Sequence, residues 1–271
     1  MRCNKFAKII FALFVSLFCL AQTAAAADEV VIVATEAAFP PFNMFGEKGE
    51  IIGYDVAVTK AIDELIPGVT FKLEPVPWES FFLGLDSGRY DIVVDQMNWT
   101  EARAEKYLFG EVPYFYATNA IIFKKGRDDI KSLKDLHGKR VAAAVGSFNT
   151  TWIEDYNEKN KAGITIEYYD AEAGNIMKEI VADRVDAFLN HPVLTKYIAD
   201  SENLPLDYVI SPEFGVKPAY YMFNNNANGQ KYQKLFDEAL KKLAADGTLT
   251  RLSVEWCGAD YTTEDAAVGM E

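Results

Sequence analysis

Arg103 is the residue of this chain best suited to hold an anion. It follows a polar cluster, Asp95, Gln96, Asn98 and Thr100, at the end of the apolar run Asp91-Ile92-Val93-Val94. Short apolar runs of this kind read as buried strands of α/β domains, and ligands gather at the carboxyl ends of such strands. A guanidinium placed there can grip a carboxylate with two parallel hydrogen bonds. The whole arrangement lies in the segment 78–116. Within it a helix pattern carries Phe81, Phe82 and Leu85 and stops at Gly88. The competing reading is a surface arginine at a helix start. The macrodipole disfavours a cation at that place, so the mismatch favours a site.

Other chemistries find less support. The turn Gly146-Ser147 is not followed by the Lys-Ser/Thr of a phosphate loop. Only His137 and His191 offer imidazoles, without paired spacing, so neither a metal site nor a cofactor is expected. Of the three cysteines, Cys3 and Cys19 lie in an expected leader. Cys257 is then alone, without an intrachain disulfide, and reads as a small buried apolar residue.

Residues 1–27 have the form of a removable signal peptide. Arg2, Lys5 and Lys8 give a basic start, residues 9–20 an apolar stretch too short for a comfortable span, and the run of alanines a cleavage site after Ala26 or Ala27. The mature chain is expected to be soluble, exported and monomeric. Its loss of three positive charges takes the net charge from −13 to −16. That acidity argues against nucleic acid and anionic membranes as partners, and it makes the local cation at Arg103 more notable.

The elements that must position these residues alternate. Strand-like runs occupy 30–34, 71–74, 90–94, 120–123, 140–145, 164–168 and 185–189, and helix-like runs 54–65, 151–160, 175–182 and 230–245. The alternation implies an α/β class with mostly parallel sheets. An internal echo favours two lobes. Ser87-Gly88-Arg89-Tyr90-Asp91-Ile92-Val93-Val94 resembles Ala182-Asp183-Arg184-Val185-Asp186-Ala187-Phe188-Leu189. Polar pairs follow in both, Asp95-Gln96 and Asn190-His191, so two strand tips would face one cleft.

Further motifs extend through the chain in order. Thr35-Glu36-Ala37-Ala38-Phe39-Pro40-Pro41-Phe42 and Gly53-Tyr54-Asp55-Val56 come first. Trp78 with Leu83-Gly84-Leu85-Asp86-Ser87-Gly88, Thr100-Glu101-Ala102-Arg103 and Tyr107-Leu108-Phe109 follow. Gly146-Ser147, Trp152, Asn190, Gly247-Thr248-Leu249, Trp256 and Asp260-Tyr261 complete the set. With these the chain resembles the periplasmic amino-acid-binding proteins of ABC importers, solute-binding protein family 3, and most closely their cystine-type members. The resemblance implies two α/β lobes joined by two hinge crossings, near 114–119 and 217–222, with the ligand in the interlobe cleft. Lobe 1 would be discontinuous, 28–116 and 220–271, and lobe 2 would be 117–219.

The resemblance also assigns roles. Arg103 matches the arginine that takes the ligand α-carboxylate. Phe39 and Trp78 match two aromatic walls, whereas Phe42 reads as core. Gln96 and Asn98 match strand-tip positions that bond the ligand. Ser147, Phe148 and Asn149 match a turn that offers backbone amides to the carboxylate. Glu36 matches a position facing the distal end of the ligand, where a second ammonium would sit; a solvated loop acid is the equal alternative. One departure stands out. The family places an aspartate for the α-ammonium where this chain has His191, and the cystine-type pattern has asparagine where this chain has Asp95. Asp95 is therefore expected to take over the ammonium, with His191 a hydrogen-bond partner across the cleft. Two alternatives stay open: a ligand without an α-ammonium, and a His191 that caps the helix begun by Pro192.

These matches imply a periplasmic receptor that binds a polar amino acid, with cystine a candidate, and delivers it to a membrane permease without covalent chemistry. A dehydratase of cyclohexadienyl acids on the same scaffold is the enzyme alternative, with His191 and Glu36 or Asp95 as proton donors. A sensor fused to a membrane domain is the third class, and the end of the chain at Glu271 weighs against it.

Overall fold

The computed structural model describes residues 29–268. The expected leader lies outside the described residues. The strand Glu29–Thr35 (EVVIVAT) becomes buried on both faces toward its end, as a central parallel strand must. It pairs in parallel with Val69–Pro75 on one side and Ile92–Asn98 on the other. Lys217–Phe223 then joins Ile92–Asn98 in antiparallel register, and Leu108–Phe109 and Phe115–Ala117 pair with it.

A second sheet repeats the plan. Arg140–Ala144 lies between Thr165–Tyr169 and Ala187–Asn190, all parallel. Ala120–Lys124 and Leu206–Ile210 complete it in antiparallel register. The sequence echo is a structural one. Val33 and Ala34 face Ile92 and Val93 in the first sheet, while Val141 and Ala142 face Ala187 and Phe188 in the second. Asp95-Gln96 and Asn190-His191 thus occupy matching strand tips.

The chain passes between the sheets twice, and the two passages run side by side, with Ala117 facing Lys217 and Phe115 facing Ala219. Paired extended crossings of this kind form a hinge. The helices Ala227–Ala245 and Thr248–Cys257 return to the first lobe. There Phe236 meets Phe71 and Tyr221 edge-on, with ring centroids 4.8 and 4.9 Å apart.

Several elements exceed their sequence patterns. Ile92–Asn98 runs four residues past Val94, because its polar tip is hydrogen-bonded inside the lobe. The helix Phe148–Asn160 starts three residues before its apolar pattern, where Ser147 caps it. Thr248–Cys257 and Leu206–Ile210 were not among the expected runs, whereas Pro192–Glu202 is the helix that Pro192 suggested.

The loop that carries Phe39 is folded into a small sheet of Ala38–Phe39, Asn43–Phe45 and Ile51–Ile52. It closes on the helix Tyr54–Asp63 through Gly53, whose φ is 128°. A Cβ there would stand 2.3 Å from the Phe42 carbonyl oxygen. Gly53→Ala combines backbone strain with overlap against backbone, and is expected to cost about 2–4 kcal/mol in denaturant unfolding. A midpoint unchanged from wild type would show that this loop does not need the close approach.

Candidate functional site

A cavity of about 670 Å³ lies between the lobes. That is within the range of small-molecule sites, roughly 300–1,000 Å³. The structure brings all the sequence-derived candidates to it: Glu36, Phe39, Trp78, Asp95, Gln96, Asn98 and Arg103 from the first lobe, and Ser147, Phe148, Asn149 and His191 from the second.

Arg103 sits in the short helix Glu101–Ala104, capped by the Thr100 hydroxyl. One turn of helix has little macrodipole, so the expected penalty on a cation does not apply there. Its Nη1 donates to the Asn98 carbonyl at 2.9 Å, and its Nη2 reaches across the cleft to the Gly146 carbonyl at 3.1 Å. Its carbon centre stands 5.7 Å from the Trp78 ring centroid and 5.5 Å from that of Phe82. No carboxylate forms an ion pair with Arg103 among the described residues. Burial lowers its pKa to about 10, which leaves it charged at neutral pH. The guanidinium is thus fixed on one edge and has donors to spare.

The second lobe meets it with a helix end. The Ser147 hydroxyl accepts the Thr150 amide at 3.1 Å, so the amides of Phe148 and Asn149 remain without acceptors in their own helix. Trp78 also bridges the lobes, its indole Nε1 donating to the Val145 carbonyl at 3.2 Å. Fixed cation, open helix amides and an aromatic wall can together hold and cover a carboxylate.

A group of acids shares the cavity. Asp95 and Glu36 come from the first lobe with Glu79, and Asp170 and Glu172 from the second. Burial and the charges of Glu172 and Glu79 raise the Glu36 pKa to about 7. Asp95, 5% exposed, is raised well above the usual range by burial, then by Glu36 and Asp55. Its Oδ1 accepts Asn43 Nδ2 at 2.8 Å and the Glu36 amide at 3.4 Å. Gln96 is turned inward, with φ of 49°, and its Nε2 donates to Asp55 at 2.7 Å. Asn98 Nδ2 donates to the Pro218 carbonyl at 3.4 Å, tying the strand tip to the hinge strand.

His191 is 6% exposed and takes the capping role that its position before Pro192 suggested. Its Nδ1 accepts the Val193 amide at 3.1 Å, which puts the proton on Nε2. Nε2 is buried without a partner, among the rings of Phe42, Phe115 and Tyr261. Burial depresses the imidazole pKa to about 3, so the ring is neutral. It forms no hydrogen bond with Asp95. Phe42 is fully buried and stacks on Phe39 at 5.3 Å, a core residue backing a wall residue.

Sequence reasoning did not find Glu79, Asp170, Glu172 or Lys217, which also line the cavity. The signal for the second-lobe pair was present. Asp170 and Glu172 directly follow the strand Thr165–Tyr169, at the same carboxyl edge that singled out Asp95. Cys257 is free and half-buried. Among the described residues no helix is long and apolar enough to cross a membrane.

Comparison with known proteins agrees with this geometry. The profile of the bacterial extracellular solute-binding proteins, family 3, matches residues 31–259. The L-cystine-binding protein TcyJ of Bacillus subtilis is 32% identical over 238 residues, covering 86% of each chain. A chain from a study of glutathione import via GshT and the cystine ABC importer TcyBC of Streptococcus mutans superposes with a TM-score of 0.80. At 24% identity, over 86% of this chain and 97% of that one, it speaks to the fold. The ancestral amino acid-binding protein AncCDT-1, a precursor of cyclohexadienyl dehydratase, superposes with a TM-score of 0.70 at 25% identity, covering 84% and 95% of the two chains.

Glu36 is expected to make the stability of the unliganded protein depend on pH. It holds its proton more tightly folded than unfolded, so its contribution to stability is complete below 4.5 and is lost as pH rises through about 7. Wild-type Tm is therefore expected to fall more steeply than that of Glu36→Gln between about pH 5 and pH 8. Parallel profiles in differential scanning calorimetry would remove Glu36 from this role.

Proposed function

Because the chain belongs to the bacterial extracellular solute-binding proteins, family 3, we propose that it is the exported, monomeric receptor of an ABC importer, closing on a polar amino acid with L-cystine the first candidate. Lobe 1 comprises 28–116 and 220–271, and lobe 2 comprises 117–219. The loaded, closed form is what a membrane permease would receive, and no nucleic acid is involved. The relative TcyJ is an L-cystine-binding protein, which supports the ligand class.

The observation that carries the reading is the division of charge in the cleft. Among the described residues Arg103 has no carboxylate partner, and it stands beside the Ser147-Phe148-Asn149 helix end. The carboxylates of Asp95, Glu36, Glu79 and Glu172 act on one another instead. In this pose the α-carboxylate lies on Arg103 and the helix amides, and the α-ammonium on Asp95. Phe39 and Trp78 cover the side chain, with Gln96 and Asn98 at the strand tip. A second ammonium, as cystine carries, lies near Glu36. The same division disfavours a simple carboxylate, which would leave the acids without a counter-charge.

Catalysis is not part of the reading. A dehydratase would call on His191 with Glu36 or Asp95 as proton donors, and the imidazole is not placed for it. Its Nδ1 is occupied by the helix cap and its Nε2 is walled in by rings.

Mass spectrometry of ligand released from protein purified without refolding is expected to yield an amino acid. A calorimetric panel of cystine, polar and basic amino acids and simple carboxylates then ranks them. Failure of every amino acid on the panel, or turnover of a cyclohexadienyl acid, would reject the receptor reading. Arg103→Ala is expected to weaken L-cystine binding at least about a hundred-fold, the loss of two charge-assisted hydrogen bonds. Retained affinity in that variant would place the carboxylate elsewhere.

A further inference from the structure

Behind the cleft, one side-chain amide is divided between two buried carboxylates. Asn43 is fully buried, and its Nδ2 donates to Asp95 Oδ1 at 2.8 Å and to Asp55 Oδ2 at 3.0 Å. Its own Oδ1 accepts the amide of Ala37 at 2.9 Å, which anchors the backbone next to Glu36. Neither Asn43 nor Asp55 lines the cavity.

The two carboxylates are treated unequally. Asp55 receives three side-chain donors: Asn43, Gln96 Nε2 at 2.7 Å and the Tyr114 hydroxyl at 3.0 Å. Asp95 receives the Asn43 amide and a long contact from the Glu36 amide, both on Oδ1. Its Oδ2 has no partner among the described residues, and Asp95 lines the cavity. Two carboxylates this close in a buried site cannot both ionise cheaply. Asp55, although fully buried and with its pKa raised to about 6, has the three donors and takes the charge first, and Asp95 keeps the proton.

We propose that Asn43 and Asp55 are positioning residues for the ligand's α-ammonium: the shared amide fixes Asp95 Oδ1, and the Asp55 charge behind it adds to burial and Glu36 in keeping Asp95 protonated until an ammonium arrives and displaces that proton. The inference rests on the reading of Asp95 as the ammonium seat. The step balances. The Asp95 carboxylic acid gives one proton to solvent, and the resulting carboxylate pairs with an ammonium that keeps its three hydrogens.

The other groups around Asp95 are accounted for. Glu36 and Asp55 both oppose its ionisation, burial being the larger cause. Glu79, Asp170 and Glu172 add negative charge to the cavity, and Arg103 and Lys217 are its cations. His191 is neutral and contributes no charge. Affinity for an α-amino acid is then full at pH values above the free-state titration of Asp95 and declines as pH falls through it.

Calorimetry of L-cystine binding at about pH 7.5, above the titration of Asp55, in two buffers of different ionisation enthalpy, counts the protons released. Wild type is expected to release more protons than Asp55→Asn, in which the charge behind Asp95 is gone and a larger share of it is ionised before ligand arrives. The pH at which L-cystine affinity has dropped ten-fold should also move lower in Asp55→Asn. Glu36 titrates in both proteins, so the difference isolates Asp95. The analogue without ammonium groups, 3,3′-dithiodipropionic acid, should show no such difference.

Equal proton counts and superposed pH profiles, with both proteins binding L-cystine, overturn the proposal and leave the receptor reading standing. A wild type that binds no amino acid overturns both. Infrared spectroscopy gives a test that needs no stable Asp55 variant. The acid carbonyl band present in free wild type and missing from Asp95→Asn should vanish when L-cystine binds, and its persistence overturns the proposal.

Discussion

Closure of this molecule brings acids face to face. Glu36 and Glu79 come from one lobe and Glu172 from the other, and burial between them raises the Glu36 pKa to about 7. The chain is acidic throughout, so the cost falls where screening by water is weakest. A ligand cation in that place lowers the energy of the closed form and does much less for an open one. Differential stabilisation of this sort is what a ligand needs to drive a hinge. In the proposed reading the acid-rich wall therefore favours the closed form around a cationic ligand as well as attracting it.

The anion end of the cleft is built in the opposite sense, to be complete before the ligand arrives. Arg103 is held by Asn98, by two aromatic faces and, on closure, by Gly146. The helix Phe148–Asn160 presents open amides because Ser147 spends its hydroxyl on Thr150. The two contacts that cross the cleft here, from Arg103 and Trp78, end on consecutive carbonyls of one turn. Gly146 is in that turn with φ of 75°, a conformation that aims both carbonyls at the first lobe without a side chain between them.

Much of this was legible in the chain because the physics is local. Polar residues directly after an apolar strand run mark a strand tip, and that rule picked out Asp95, Gln96, Asn98 and Asn190-His191 together. Proline after His191 announced a helix start, which the Nδ1 cap realises. What could not be read was pairing at a distance. Asn43 looks like an ordinary loop residue, yet it joins Asp55 to Asp95 across 12 and 52 positions of sequence. Glu172 was not singled out in the sequence, because only the packing of the two lobes sets it against Glu36. The helix Thr248–Cys257 was missed because its pattern reads as a continuation of the polar C-terminal region, and only packing against the first lobe gives it a buried face.

The substitution at the two strand tips has a mechanical consequence. With a neutral, ring-enclosed His191 on the second lobe, that tip offers no charge to an ammonium. In the proposed pose the groups that take both α-substituents, Arg103 and Asp95, then belong to the same lobe, on one strand, Ile92–Asn98, and the short helix after it. A zwitterion can seat on the first lobe alone, with its geometry already determined. The second lobe adds the helix amides and the acids Asp170 and Glu172, which bear on the carboxylate and on the distal end. In that pose, recognition of an amino acid falls to the first lobe and discrimination among amino acids to the second.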